Sequence, residues 1–396
     1  MMEPAASGSQ TLRAFLRIGG MTIARQQLGL ALALGCKKIV CIAQAIVPEL
    51  IKLQHVAEKS GVQFHVISGP RALIGLVTVA DEVIVLGDGL FVSAVEAAAV
   101  LEKGQSVLVQ PIEQGLAGGF ERIDLNHASA AAMRIPGRLV ERMAELPSDC
   151  DTASALQRIA LQAGVNQRSV AAISGGGAFW AMVRSEDEAH ALEPQWIRQR
   201  THDAGMPSPG RGLALLGVRA FGPTMLHAGN GAQVAGFAAL VLGVLGLGSG
   251  WFGLVPFGLG LCALGWILRE ATVLLARIES DSLDGRPSGL SRQALYGWML
   301  DAVIVLLAGW GSSVSAGQPV HDRMFPPLML IAMLRLVPKA IGSRWTMWLE
   351  DRSLLCLTLA GAIFAGVGSE AMHLAALGLA IIGIVIPREE SRITRT

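Results

Sequence analysis

The stretch DSLDGRPSGLSRQALYGWMLD runs from Asp281 to Asp301, and its final residue decides how the chain is read. Asp281 and Asp284 stand three apart, followed by Gly285. Asp301 falls inside the apolar run LYGWMLDAVIVLLAGW. Residues three apart share a face of a helix, and a glycine lets another backbone or a phosphate come close. A carboxylate at the centre of a membrane helix costs about 2.5–3.5 kcal/mol on insertion scales and marks a functional site by default.

The surroundings of Asp301 are apolar over a long distance. Six segments have roughly the 20 apolar residues that a spanning helix needs: about 232–249, 251–275, 294–311, 325–342, 353–369 and 371–387. The fourth is interrupted by Arg335 and Lys339. The whole chain, 396 residues, is 52% hydrophobic and 16% charged, too apolar for an ordinary soluble protein. Most of the charge lies before residue 225, so the expected organisation is a soluble region at 1–190, a juxtamembrane linker at 191–230 and a transmembrane domain at 231–390.

Basic residues orient the spans. Arg269, Arg277, Arg286, Arg292, Arg335, Lys339, Arg344, Arg352, Arg388, Arg392 and Arg395 fall on one side, and Arg323 on the other. This positive-inside bias puts both termini and the soluble half in the cytoplasm. A net charge of +1 argues against a nucleic-acid partner. Cys36, Cys41, Cys150, Cys262 and Cys356 follow no metal or disulfide spacing and read as reduced packing residues. The start MMEPAASGSQ lacks the pattern of a signal peptide.

Two readings of the three aspartates stand side by side. In one, carboxylates from adjacent helices hold one or two hard cations with oxygen ligands, and a phosphate completes the shell. In the other, Asp281 and Asp284 are solvated loop acids and Asp301 pairs with a buried arginine such as Arg269 or Arg277.

The soluble half alternates helix-like and strand-like runs. KKIVCIAQ (37–44), QFHVIS (63–68), DEVIVLGDG (81–89) and SVLVQP (106–111) each follow a helical run or a turn. That alternation predicts an α/β layered fold with a mostly parallel sheet. Ligands bind at the carboxyl ends of such strands. Asp88 stands at one of them, either as a ligand to metal or nucleotide or as a turn residue between two glycines. SGGGAFW (174–180) reads as a turn, weak as a phosphate loop.

The aspartate pattern resembles the signature of the CDP-alcohol phosphatidyltransferase family, Asp-x-x-Asp-Gly-x-x-Ala-Arg followed by Gly-x-x-x-Asp-x-x-x-Asp. Asp281, Asp284, Gly285, Gly297 and Asp301 match it. Ser288 and Gly289 stand where the family has Ala and Arg, Val305 stands where it has the last Asp, and the spacing from Asp284 to Gly297 is one residue short. The resemblance implies six transmembrane helices, a cytoplasm-facing site, often a homodimer, and Mg²⁺ or Mn²⁺ held by Asp281, Asp284 and Asp301. It implies transfer of a phosphoalcohol from a CDP-alcohol to a lipid or polyol hydroxyl, with release of CMP. With Val305 in place of the family's base, Asp301 would be the catalytic carboxylate as well as a ligand.

The soluble half is similar to MobA-like nucleotidyltransferases, with a Rossmann-like mixed sheet. LRAFLRIGGMTIARQQLGLALALGCKKIVCI resembles the opening of that family, and VIVLGDGLF its strand ending in a metal-binding Asp. Across AASGSQTLRAFLRIGG the resemblance keeps Gly8, replaces another loop glycine by Ser7 and offers Arg13 where the family has Lys. It implies CTP binding through Gly8, Arg13 and Asp88, and little chain precedes Ala5 to form a strand leading into this loop. The two halves in this order, with WAMVRSEDEAHALEPQWIRQRTHDAGMPSPGRGL and LEDRSLLCLTLAGAIFAG, resemble the fused inositol-phosphate cytidylyltransferase and CDP-inositol phosphotransferase family. A non-enzymatic scaffold or regulator of a lipid pathway is the alternative, and a transporter is a third and weaker one.

Overall fold

The computed structural model describes residues 3–5, 11–147, 150–170, 179–201, 208–227, 230–280, 292–311, 320–341 and 346–385. The chain divides into two compact units: Met1–Trp196 with Glu279–Gly285, and Ile197–Ile278 with Arg286–Thr396.

The first unit is α/β. Its strands are β1 (Arg17–Ile18), β2 (Met21–Thr22), β3 (Lys38–Ile42), β4 (Gln63–Ile67), β5 (Glu82–Leu86), β6 (Leu90–Val92), β7 (Ser106–Pro111), β8 (His127–Pro136), β9 (Gln167–Ser169) and β10 (Trp180–Met182). The four runs expected as strands become β3, β4, β5 and β7. Helices Ile23–Ala33, Pro48–Lys59, Ala94–Leu101 and Thr152–Gln162 occupy the helical runs. Thr22 and Asp151 cap two of these helices, each accepting the backbone N–H three residues on.

The sheet is mixed rather than mostly parallel. Its main part has the order β5-β8-β7-β9; β8 runs antiparallel to both neighbours, and β9 is parallel to β7. β3 and β4 form a separate parallel pair. The source of the difference is HASAAAMRIP, whose alanines favour a helix by propensity but which forms the ten-residue β8. Packing decides the matter here. Ala128, Ala130 and Ala132 are buried, and a Cβ on Gly115 would stand 2.2 Å from the Cβ of Ala128. Only a small residue fits under the Ile112–Ala117 helix. β8 spends five residues, Ser129 to Met133, where β7 spends three, Val107 to Val109. This bulge carries Ala131 at φ 53 and is held by Ser129 Oγ, which accepts from Ala131 N at 2.9 Å and donates to Gln157 Oε1 at 2.6 Å.

The second unit is helical: Pro209–His227, Gly231–Trp251, Val255–Ser280, Arg292–Gly311, Val320–Ile341, the short Thr346–Leu349, Arg352–Phe364 and Gly368–Val385. Among the described residues four helices are long and apolar enough to cross a membrane: Gly231–Trp251, Val255–Ile278, Ala294–Gly311 and Gly368–Val385. Six were expected. The fourth candidate, Val320–Ile341, carries Asp322, Arg323, Arg335 and Lys339 together with Pro326, Pro327 and Pro338. The fifth, Arg352–Phe364, has 13 residues and is short for a span.

Small residues set the helix contacts in this unit. A Cβ on Gly246 would stand 2.9 Å from the carbonyl oxygen of Gly258, and one on Gly258 would stand 2.6 Å from that of Gly246, so these two backbones touch.

In the first unit Gly89 has φ +77, and a Cβ on it would meet the Val183 carbonyl oxygen at 2.4 Å; Gly61 has φ +78 with open space around it. Gly61→Ala is therefore expected to cost about 1 kcal/mol for backbone strain alone. Gly89→Ala should cost about 2 kcal/mol or more, since strain and collision add. Thermal unfolding of the full-length chain checks the order, and equal shifts would contradict the close packing of Gly89.

Candidate functional site

In the helical unit Asp301 lies on the Arg292–Gly311 helix and is 3% exposed. Its Oδ2 accepts from Arg335 Nε at 2.7 Å, and its Oδ1 accepts from Arg352 Nε at 3.3 Å. The two arginines come from different helices, so one carboxylate ties three helices together. Arg352 is also 3% exposed, and its Nη1 donates to the Leu349 carbonyl at 2.8 Å. Arg335 is 27% exposed through its side chain and stacks over Trp298, 3.5 Å from the ring centroid.

A third guanidinium completes the cluster. Arg269 pairs with Glu270 and lies 5.0 Å from the centroid of Trp266, whose ring also has Arg352 at 5.8 Å. Gly297 is the point where Arg269 passes: a Cβ there would lie 3.6 Å from the Arg269 guanidinium, an ordinary contact. Three guanidinium groups thus lie near Asp301 and Glu270, with Glu350 and Asp351 beside Arg352. Guanidinium groups suit phosphate oxygens.

The pairing of Asp301 with arginine fits one of the two readings of the sequence, with different partners. Arg335 and Arg352 take the place of Arg269 and Arg277. Arg335, which interrupts the fourth apolar segment, is accounted for by the acid in the third. Asp281 and Asp284 lie outside the described residues, as do Gly285, Ser288 and Gly289. Among the described residues no three His, Cys, Asp or Glu side chains gather as a cation site. Val305, one turn beyond Asp301, packs against an apolar cluster that includes Ile304, Leu307 and Ala308.

The arginine site has a built support. Asp351 caps the Arg352–Phe364 helix, accepting from Ser353 N at 3.0 Å, and its other oxygen accepts from Gly210 N at 2.7 Å. A Cβ on Gly210 would stand 2.2 Å from Ser353 Oγ, so only glycine allows this approach. SPGRG, in the bridge, and LEDRS, before the fifth apolar segment, therefore meet, and their meeting fixes the residue next to Arg352. No motif in the sequence points to this contact. Gly210 and Asp351 are 141 residues apart.

In the α/β unit Asp88 follows β5 in the turn Gly87-Asp88-Gly89. Both glycines are required. A Cβ on Gly87 would stand 2.9 Å from that of Ala131 in the β8 bulge, whose carbonyl accepts from Gly87 N at 2.7 Å. Gln27, which sequence reasoning missed, clamps the turn by donating to the Gly87 and Leu90 carbonyls at 3.0 and 2.9 Å. Asp88 Oδ2 accepts from Glu3 N at 3.1 Å. The Glu3 carboxylate pairs with Arg13 Nη1, and Arg13 N donates to the Glu3 carbonyl at 2.9 Å. Glu3 thus links Arg13 and Asp88 at one corner. Gly8 and the three consecutive glycines of SGGGAFW are outside the described residues.

No model of a known protein family matches the chain, and no curated protein sequence matches it either.

Removing one partner of a buried ion pair leaves an uncompensated charge, at about 3–5 kcal/mol. Asp301→Leu and Arg352→Leu should each lower the unfolding temperature of the purified protein strongly. Arg335→Leu should lower it less, because that side chain reaches solvent. The double variant Asp301→Leu, Arg352→Leu should recover part of the loss. Additive losses in the double variant would count against the pairing.

Proposed function

We propose that the protein is an integral membrane phosphotransferase of the CDP-alcohol type. It takes the phosphoalcohol of a CDP-alcohol to a lipid or polyol hydroxyl at the cytoplasmic face, and CMP leaves. The observation that carries this reading is the pair Arg335 and Arg352 on the buried carboxylate Asp301, with Arg269 beside Arg352 on the Trp266 ring. Guanidinium groups beside apolar helices suit a ligand that joins a diphosphate to a membrane surface.

The chemistry asks three things of the site. The diphosphate needs positive charge while the acceptor oxygen bonds to the phosphorus of the phosphoalcohol and the bond to CMP breaks. The acceptor hydroxyl proton needs a base. The reacting groups need to be held in line. Arg335, stacked on Trp298 and part-exposed, is suited to the first task. Asp301 is the carboxylate nearest to the second, and it can act only where a guanidinium exchanges Asp301 for phosphate. Mg²⁺ or Mn²⁺ belongs to this reading through Asp281 and Asp284. As paired, Asp301 has cations on both oxygens and does not fit a third, so no step is drawn through a metal there. The α/β unit, with Asp88, Arg13 and Gly8, would supply the CDP-activated alcohol from CTP.

A second reading is favoured by a specific observation. Both oxygens of Asp301 are engaged by arginines, and Val305 lies in apolar packing where the resembling family has its base. A protein in that state binds a phosphate-bearing head group without transferring it, as a scaffold or regulator.

Turnover separates the two. On the transfer reading, purified protein with Mg²⁺ or Mn²⁺ releases CMP from a panel of CDP-alcohols, and Asp284→Asn abolishes the release. Binding without CMP release supports the second reading, and absence of binding overturns both. Orientation has its own check: a reporter fused after Thr396 should register in the cytoplasm, and a signal from the opposite side would reverse the proposed topology.

A further inference from the structure

Arg335 uses only one edge of its guanidinium inside the helical unit. Its Nε donates to Asp301 at 2.7 Å. Among the described residues neither Nη makes a hydrogen bond, and the side chain is part-exposed. Trp298 covers one face of the group. A guanidinium held at Nε and stacked on a ring has its Nη edge left over, and that two-pronged edge matches phosphate oxygens.

The surfaces on either side of it are apolar. Leu295, Trp298, Met299 and Leu306 are exposed on the Arg292–Gly311 helix, and Leu328, Met329 and Leu336 on the Val320–Ile341 helix. Spacings of three, four, seven and eight residues keep each set on one side of its helix. The two helices are neighbours along their length. Asp301 and Arg335 join them at one level, and a Cβ on Gly309 would stand 2.6 Å from Met324 Sδ at another. The stack of Arg335 on Trp298 therefore lies where the two apolar surfaces meet. Ala294–Gly311 is long and apolar enough to cross a membrane, and hydrocarbon offers a guanidinium no partner.

The stack has a definite level. Trp298 stands six residues from the Arg292 end of its helix, and Arg335 six from the Ile341 end of its own, about 9 Å in each case. The bias of basic residues assigns both ends to the cytoplasmic side. Lys339 is exposed one turn beyond Arg335 in that direction. Long cationic side chains near the end of a membrane helix reach for lipid phosphate. Met299, Leu306, Leu328 and Met329 continue from the stack the other way, toward the interior of the bilayer.

We propose that Trp298, Arg335 and Lys339 form a site for one anionic phospholipid of the cytoplasmic leaflet. The phosphate takes the Nη edge of Arg335 and the charge of Lys339, and the acyl chains lie over Met299, Leu306, Leu328 and Met329. Asp301 holds the other edge of the same guanidinium, so the lipid and the buried acid share one arginine. The site rests on the reading above for the membrane and its orientation, not for transfer. It adds that a phosphate met by Arg335 arrives from the bilayer as part of a lipid.

The test uses full-length protein in phosphatidylcholine vesicles, with phosphatidylglycerol carrying brominated chains added stepwise. The signal is the quenching of Trp298, taken as the difference between the protein and Trp298→Phe. It should saturate at a low fraction of the anionic lipid, and brominated phosphatidylcholine at the same fractions should quench far less. Lys339→Gln should raise the fraction needed for half the effect about fivefold, and Arg335→Gln about tenfold. Lys339 has no part in the Asp301 pairing, so its variant keeps the test intact if Arg335→Gln fails to fold. Inorganic phosphate in excess should not displace the lipid. Equal quenching by the two lipids, indifferent to both variants, would overturn the proposal. So would displacement by inorganic phosphate, which would assign the edge to a soluble ligand. A Trp298 that no brominated lipid reaches would also overturn it and would give this face to a second copy. CMP release has no part in the readout: a protein that binds the lipid and releases no CMP fails the transfer reading alone.

Discussion

A single carboxylate with two guanidinium partners organises the helical half. Asp301, Arg335 and Arg352 are each costly among apolar helices, and together they satisfy one another. Their geometry fixes more than charge. It sets the rotation of the Arg292–Gly311 helix, brings the Val320–Ile341 helix against it, and requires the Arg352–Phe364 helix to begin where Asp351 can cap it. Gly210 then closes the arrangement from the bridge, because no side chain fits between it and Ser353. Trp266 and Trp298 line the arginines on their other sides, so the cationic heads rest on ring faces.

The same constraint bears on function in two ways. A buried acid held by two arginines is a stable end state, which favours a binding role. A part-exposed arginine whose acid partner can be traded for phosphate is also a route for drawing a diphosphate into the site, which favours transfer. The apolar surroundings of Val305 and the part-exposed Arg335 on Asp301 pull in opposite directions, and Val305 and Asp301 stand one turn apart on one helix.

Much of the α/β half is legible from residue pattern, because β3, β4, β5 and β7 are short apolar runs punctuated by glycine and charge. β8 is not legible, because an alanine-rich strand differs from a helix only through what packs on it, here Gly115. In the helical half the unusual residue, Asp301, is visible at once, and its partners are not. Arg335 and Arg352 count locally as basic residues near helix ends, and only the fold shows that they turn toward an acid on another helix. Among the described residues the six apolar segments reduce to four helices long and apolar enough to span, because charges and prolines interrupt one of the others and the remaining one is short. At the nucleotide-like corner, Asp88 is legible from its two glycines, whereas Gln27 and Glu3, which hold the turn and the loop, carry no local signal.

The pairing at Asp301 is tested most directly by NMR of the purified protein labelled with ¹⁵N at arginine. Two slowly exchanging Nε–H signals, from Arg335 and Arg352, should be present and should both disappear in Asp301→Asn. If no such protected signals exist, or if they persist after the acid is removed, Asp301 is not what holds these arginines and the helices are organised by something else.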